Sequence, residues 1–176
     1  ISVFTGEGER IVCALPLKGL IVVFKHPNGI YFVDTTDPVL QNWRVDVLSR
    51  KIGAAASPFA AEITGRGIFL FDSSGNVHLV NTVEAFGALD SKDVSSAAEM
   101  GPFIRDNFSL SQFGRVRTLY YGAKNELHVA APGTGSTTNT RRLVMDLNDP
   151  QRIRWRFSDK DTCESMWLRR DSNGIL

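Results

Sequence analysis

The chain is poor in the residues that mark many specialised proteins. Its two cysteines, Cys13 and Cys163, stand 163 − 13 = 150 positions apart. Two thiols build no disulfide framework, and with no C-x-x-C pair there is no zinc signature. Both are expected to be buried thiols. A charge excess is missing too: 20 Lys+Arg against 19 Asp+Glu leave a net +1. A dedicated nucleic-acid binder would carry a concentrated basic excess. No run approaches the ~20 apolar residues of a membrane-spanning helix. The longest are strand-sized, such as Leu20–Phe24. No signal peptide is visible, and the first residue is Ile1 rather than Met. The final DSNGIL reads as a turn followed by the start of a strand, so a fragment of a longer protein is expected.

Chemical motifs are equally scarce. GTGSTTNTR, near the middle of the second half, has the small residues of a phosphate loop but not G-x-x-x-x-G-K-[ST], and no helix start follows it. The three histidines, His26, His78 and His128, show no paired ligand spacing. Asp72-Ser-Ser-Gly75 and Asp171-Ser-Asn-Gly174 superficially resemble calcium loops but lack the alternating ligand ladder and its terminal Glu; turn chemistry accounts for them. No G-x-S-x-G occurs, and no acid sits in an aromatic stretch of the kind that marks a sugar site. The sequence therefore predicts no catalytic residue, no cofactor and no metal ligand.

What the chain does have is strands and turns. The apolar fraction is 43% and the charged fraction 22%, ordinary for one globular domain. Turn residues flanked by Val, Ile, Phe, Tyr and Leu occur at Asn28-Gly29, Gly75-Asn76, Lys124-Asn125 and Asn173-Gly174. The asparagines are 76 − 28 = 48, 125 − 76 = 49 and 173 − 125 = 48 residues apart. A period of about 40–50 residues fits four short antiparallel strands, one blade of a β-propeller. The prediction is an all-β chain: residues 1–176 as about three to four blades of one propeller domain, with flanking parts of the protein missing. A doubled phrase supports a repeat. VDTTDPVLQNWRV from Val33 and MDLNDPQRIRWRF from Met145 share an Asp-x-x-Asp-Pro turn and a Trp-Arg, 145 − 33 = 112 positions apart. Trp43, Trp155 and Trp167 are expected to pack between blades.

Two segments break the pattern. Ser95–Phe108 reads as a helical insertion, with Ala97, Met100, Ile104 and Phe108 on one face and a serine able to cap its start, although Pro102 strains it. Ala130–Leu143 reads as a long, solvated, mobile loop. Its Gly133, Thr134, Ser136, Thr137, Thr138, Asn139, Arg141 and Arg142 are candidate contacts to a neighbouring subunit. The last third is basic, and Arg152, Arg154 and Arg156 would share one strand face. That face is either plainly solvated or in contact with phosphate or an acidic subunit surface.

The succession LIVVF…IYFVD, Ser49–Gly53, Gly67-Ile-Phe-Leu-Phe71, Ser74-Gly75, the helical segment, Tyr120-Tyr121, the loop Pro132–Asn139 and Leu143–Trp155 resembles β-propeller virion proteins of tailed bacteriophages. That family includes tail hub or nozzle proteins and packaged-DNA stabilisation proteins. The resemblance spans about Leu20–Arg156, and its motifs are structural rather than catalytic. It implies a structural protein of the virion tail, assembled in a homo-oligomeric ring, a hexamer by family likeness. The implied partners are portal or adaptor proteins, tail-fibre proteins and genomic DNA in transit. Two departures stand out: DSSGN at the second hairpin and the extra Asp-Pro turns. The rival is a propeller module that binds protein or glycan without catalysis. The Gly-His and Trp-Asp pairs of WD repeats, the double glycine of kelch and S-x-D-x-G-x-T-W boxes are all absent.

Overall fold

The computed structural model describes residues 9–82, 89–95, 99–149, 151–159, 166, 170–171 and 174–175. Three antiparallel sheets of four strands follow one another in chain order, each an up-and-down meander. The first contains β1 (Arg10–Leu17), β2 (Leu20–His26), β3 (Ile30–Asp34) and β4 (Arg44–Ser49). The second contains β5 (Ala61–Thr64), β6 (Gly67–Phe71), β7 (Val77–Thr82) and β8 (Leu89–Asp93). The third contains β9 (Arg117–Tyr121), β10 (Glu126–Pro132), β11 (Asn139–Asp146) and β12 (Arg154–Ser158). A short pair, β13 (Arg170–Asp171) and β14 (Gly174–Ile175), flanks the last predicted turn. The chain is thus mostly β.

Register decides which side chains meet. On the first sheet Val22, Phe24, Ile30 and Phe32 share one face, and Ile21, Val23, Tyr31, Val33, Val45 and Val47 share the other. The first set joins the main core; the second forms its own cluster with Trp43. In the second sheet all five residues of β6 are buried, because a sheet lies against each face. Phe69, Phe71 and Leu79 share the face toward the third sheet, where Phe71 meets Val129 and Leu143. Ile68, Leu70, His78 and Val80 are left for the first sheet. On the third sheet Leu127, Val129, Leu143, Met145, Trp155 and Phe157 enter the core. First strands neighbour one another along the stack, β1 beside β5 and β5 beside β9.

The connection from the first sheet to the second is fixed by backbone chemistry. Ser49 Oγ accepts the N–H groups of Lys51 and Ile52, which turns the chain back over the β2–β3 hairpin. There Gly29 N–H donates to Ile52 and Ala54 N–H to Lys25. Gly53 has no room for a side chain: a Cβ would sit 2.4–2.5 Å from backbone atoms of Lys25, Pro27 and Asn28. Further on, Ala55 N–H donates to Phe71, and Phe71 N–H to Ala60. The Ser49–Gly53 stretch therefore strings two sheets together.

Two expectations need correction. The even spacing of asparagine turns does not track equivalent positions. Asn28 and Asn76 lie between the second and third strands of their sheets, but Asn125 lies between the first and second strands of its own. Third strands begin 77 − 30 = 47 and then 139 − 77 = 62 residues apart. The inserted helix supplies the difference. That helix, α1, runs over Met100–Asn107 rather than from Ser95, and a 3-10 turn follows at Leu110–Arg115. No serine side chain caps it; Glu99 is the N-cap, and the N–H groups of Met100 and Gly101 donate to the Ser95 carbonyl. Pro102 is accommodated as the third helical residue, where its missing N–H has no intrahelical partner to lose. Met100, Ile104 and Phe108 are buried as predicted; Ala97 lies outside the described residues.

Candidate functional site

The predicted contact loop is mostly ladder. Ala130 and Ala131 belong to β10 and pair with Arg142 and Arg141 of β11, so only the tip between Gly133 and Thr138 turns freely. Thr134, Thr137 and Thr138 are exposed, and Ser136 is half-buried. Gly133 is buried, because a Cβ there would lie 2.6 Å from Arg141 Nε. Asn139 is 1% exposed, and its amide donates to the Arg115 carbonyl at 2.9 Å. The expectation of a solvated, mobile segment over Ala130–Leu143 fails for a physical reason. The C-terminal end of α1 accepts from the tip: Thr134 N–H donates to Asn107 O, Thr134 Oγ1 to Asp106 O, and the Arg141 guanidinium to Asn107 O. Arg141 also lies over the Phe157 ring, 5.6 Å from its centroid. Arg142 is half-buried on β11. Of the candidate contact residues, the threonines of the tip are therefore the ones presented to solvent.

The Asp-Pro phrases resolve into self-capped turns between third and fourth strands. Asp34 Oδ1 accepts Thr36 N–H and Thr36 Oγ1–H; Asp37 accepts Val39 N–H and the Asn42 amide. In the second copy Asp146 accepts Asn148 N–H and its amide, and Asp149 accepts Gln151 and Arg152 N–H. Hydrogen bonds from Thr36, Val39 and Asn148 respectively hold the Asp34, Asp37 and Asp146 carboxyls below the usual range. The turns aim their tryptophans differently. Trp43 donates Nε1–H to Asp37 O at 2.8 Å and covers Val23, Tyr31 and Val33. Trp155 packs on Phe103 of α1, ring centroids 4.6 Å apart. Trp167 lies outside the described residues.

Charged groups gather in two places. On the third sheet's outward face Glu126 accepts from Arg156 at 2.9 Å and lies 3.1 Å from His128 Nε2. Burial would raise the Glu126 carboxyl, but these partners outweigh it and hold it low. Burial lowers the His128 imidazole despite Glu126 beside it. The second place is a cleft of about 560 Å³ between the second and third sheets. Arg66, Lys92, Arg152 and Arg154 line it with Leu79, Val94, Ile153, Trp155 and one acid, Glu99. Arg66 donates to the carbonyls of Leu147 and Asp149, pinning the second Asp-Pro turn to the β5–β6 turn. Of the three alternating arginines, Arg154 and Arg156 share a strand face, while Arg152 precedes β12 and turns to the cleft. Sequence reasoning named those arginines but missed Arg66 and Lys92, which no local motif links to them.

Asp72 is consumed by its own turn. Its carboxylate accepts Ser74 and Asn76 N–H, the Asn76 amide and, at 3.0 Å, His78 Nε2. Among the described residues no group of three or more His, Cys, Asp and Glu side chains could hold a metal ion. No described helix is long and apolar enough to cross a membrane. No protein-family model matches the chain, and no curated protein matches it.

Proposed function

We propose that the three sheets are successive blades of a β-propeller, and that the chain is a structural part of a bacteriophage tail machine. In this reading it is a hub or nozzle component at the portal-tail end of the virion that lines or closes the DNA channel. It assembles as a homo-oligomeric ring, meets portal or adaptor and tail-fibre proteins, and carries no catalysis. The viral part rests on the sequence resemblance. The propeller part rests on one observation: the same sheet face recurs as an interface. Met145 and Trp155 of the second phrase face the preceding sheet. Ile68 and Leu70 of the second sheet also face their predecessor. The matching face of the first sheet carries Val23, Tyr31, Val33 and Trp43. That face is apolar although it points away from the second sheet, and a preceding blade in a ring would cover it. Propellers have about four to eight blades, so the reading requires sheets beyond the three described.

The test is electron microscopy of the purified full-length protein, with immunogold labelling of intact virions. The expected result is a ring with a pore and label at the tail. A monomer that binds a glycan on an array would replace this reading with the binding-module alternative. A channel wall must also let DNA slide, which many phosphate contacts would prevent. Weak binding of duplex DNA at low salt is therefore expected, and tight binding would count against a passive conduit.

A further inference from the structure

The cleft between the second and third sheets has no part in the reading above, and its argument stands whether or not the sheets close a ring. We propose that it binds an acidic, partly apolar chain segment of a partner protein. Arg66, Lys92, Arg152 and Arg154 face it against the single carboxylate of Glu99. The Arg66 guanidinium is committed to two backbone carbonyls, so it contributes charge and shape. Lys92 and Arg152 are exposed and form no ion pair among the described residues. A cleft lined by one sign of charge, with low-dielectric walls, focuses the field and concentrates ligands of opposite sign. Those walls are present here: Leu79, Val94, Ile153 and Trp155. The chain as a whole carries only +1, so the basic character belongs to this place and is not a general property of the surface.

Three features favour a peptide over nucleic acid. The volume of about 560 Å³ lies within the ~300–1,000 Å³ of small-ligand sites, too little to seat a duplex. Single-stranded nucleic acid is held by successive aromatic platforms, whereas the one aromatic in the lining, Trp155, is already packed on Phe103. The flanking strands β8 and β12 are each the last strand of their sheet. Their outer backbone groups make no ladder pairs and can meet an extended segment, while Lys92 and the arginines take its carboxylates.

The test uses a short fluorescein-labelled peptide of Asp and Glu with spaced leucines, read by fluorescence anisotropy against the intact protein. The wild type should bind it at low salt and weaken as salt rises. The double variant Lys92→Glu/Arg152→Glu, both exposed positions, should lose about tenfold or more in affinity with an unchanged circular-dichroism spectrum. Arg44→Glu, an exposed charge reversal on the first sheet, should leave binding intact. A leucine-free acidic peptide should bind more weakly, because it leaves the apolar walls unfilled. No binding at low salt, equal binding by the double variant, or tighter binding of single-stranded oligothymidylate would each overturn the proposal.

Discussion

Single residues carry much of the order in this chain, and Asp72 shows how. Burial alone would raise its carboxyl, but hydrogen bonds from His78 and Asn76 outweigh it and hold it below the ordinary value. A carboxylate favoured by the fold contributes stability above its unfolded pKa, ~3.9, and loses that contribution as pH falls through the folded value. Asp72→Asn should therefore cost about 1–2 kcal/mol at neutral pH, since hydrogen bonds to a charged acceptor are lost. The gap between variant and wild type should close as urea titrations are repeated below pH ~4. At Gly53 the constraint is steric: any Cβ meets three stretches of backbone. Gly53→Ala should cost about 2–3 kcal/mol, typical of forced overpacking, measured by the same titration. Cys13 is half-buried, and burial pushes its thiol up to about 11. In a Cys163→Ser background, alkylation of Cys13 at pH 8 should run more than about tenfold slower in the folded protein than in denaturant. Equal rates would mean that β1 opens readily.

At the scale of elements, the inserted helix works as a wedge between sheets. Phe103 stacks on Trp155 and meets Phe157 edge-on, centroids 5.0 Å apart, while Phe108 meets Phe157 at 5.9 Å. Arg105 donates to Asn76 at the second hairpin. Trp155→Ala should cost about 2–4 kcal/mol, below the full value for a buried tryptophan because the ring is only half-buried. The equivalent Trp43 lies over the isolated cluster of the first sheet. The strands themselves were legible, because β-branched and aromatic runs broken by Gly and Asn are a local signal. Their equivalence was not. The phrase copies lie 112 residues apart, while Asn28 and Asn125 lie 125 − 28 = 97 apart. That mismatch of 15 residues marks the insertion, and the phrase rather than the turns held the true register. The Ala130–Leu143 segment read as loop because small polar residues look solvated locally. What orders it is the end of α1, distant in sequence. The cleft was invisible for the same reason: Arg66 and Lys92 come from two turns and strands that only stacking brings beside Arg152 and Arg154.

Across the whole molecule, the faces of the sheets differ by what lies against them. The first sheet's outer face is apolar with a tryptophan; the third sheet's outer face carries Glu126, His128 and Arg156. The two are not a matched pair, so direct contact between them would leave charges against Val23 and Tyr31. In the propeller reading each must therefore meet a different neighbour. Only the second sheet is enclosed on both sides, and every residue of β6 is hidden there. Its backbone amides can trade protons with solvent only when the neighbouring sheets part. Deuterium uptake should accordingly be slowest in Gly67–Phe71, approaching the rate set by global opening, while β4 and β12 at the margins exchange through smaller fluctuations. The last structure to melt would be the strand that has no surface of its own.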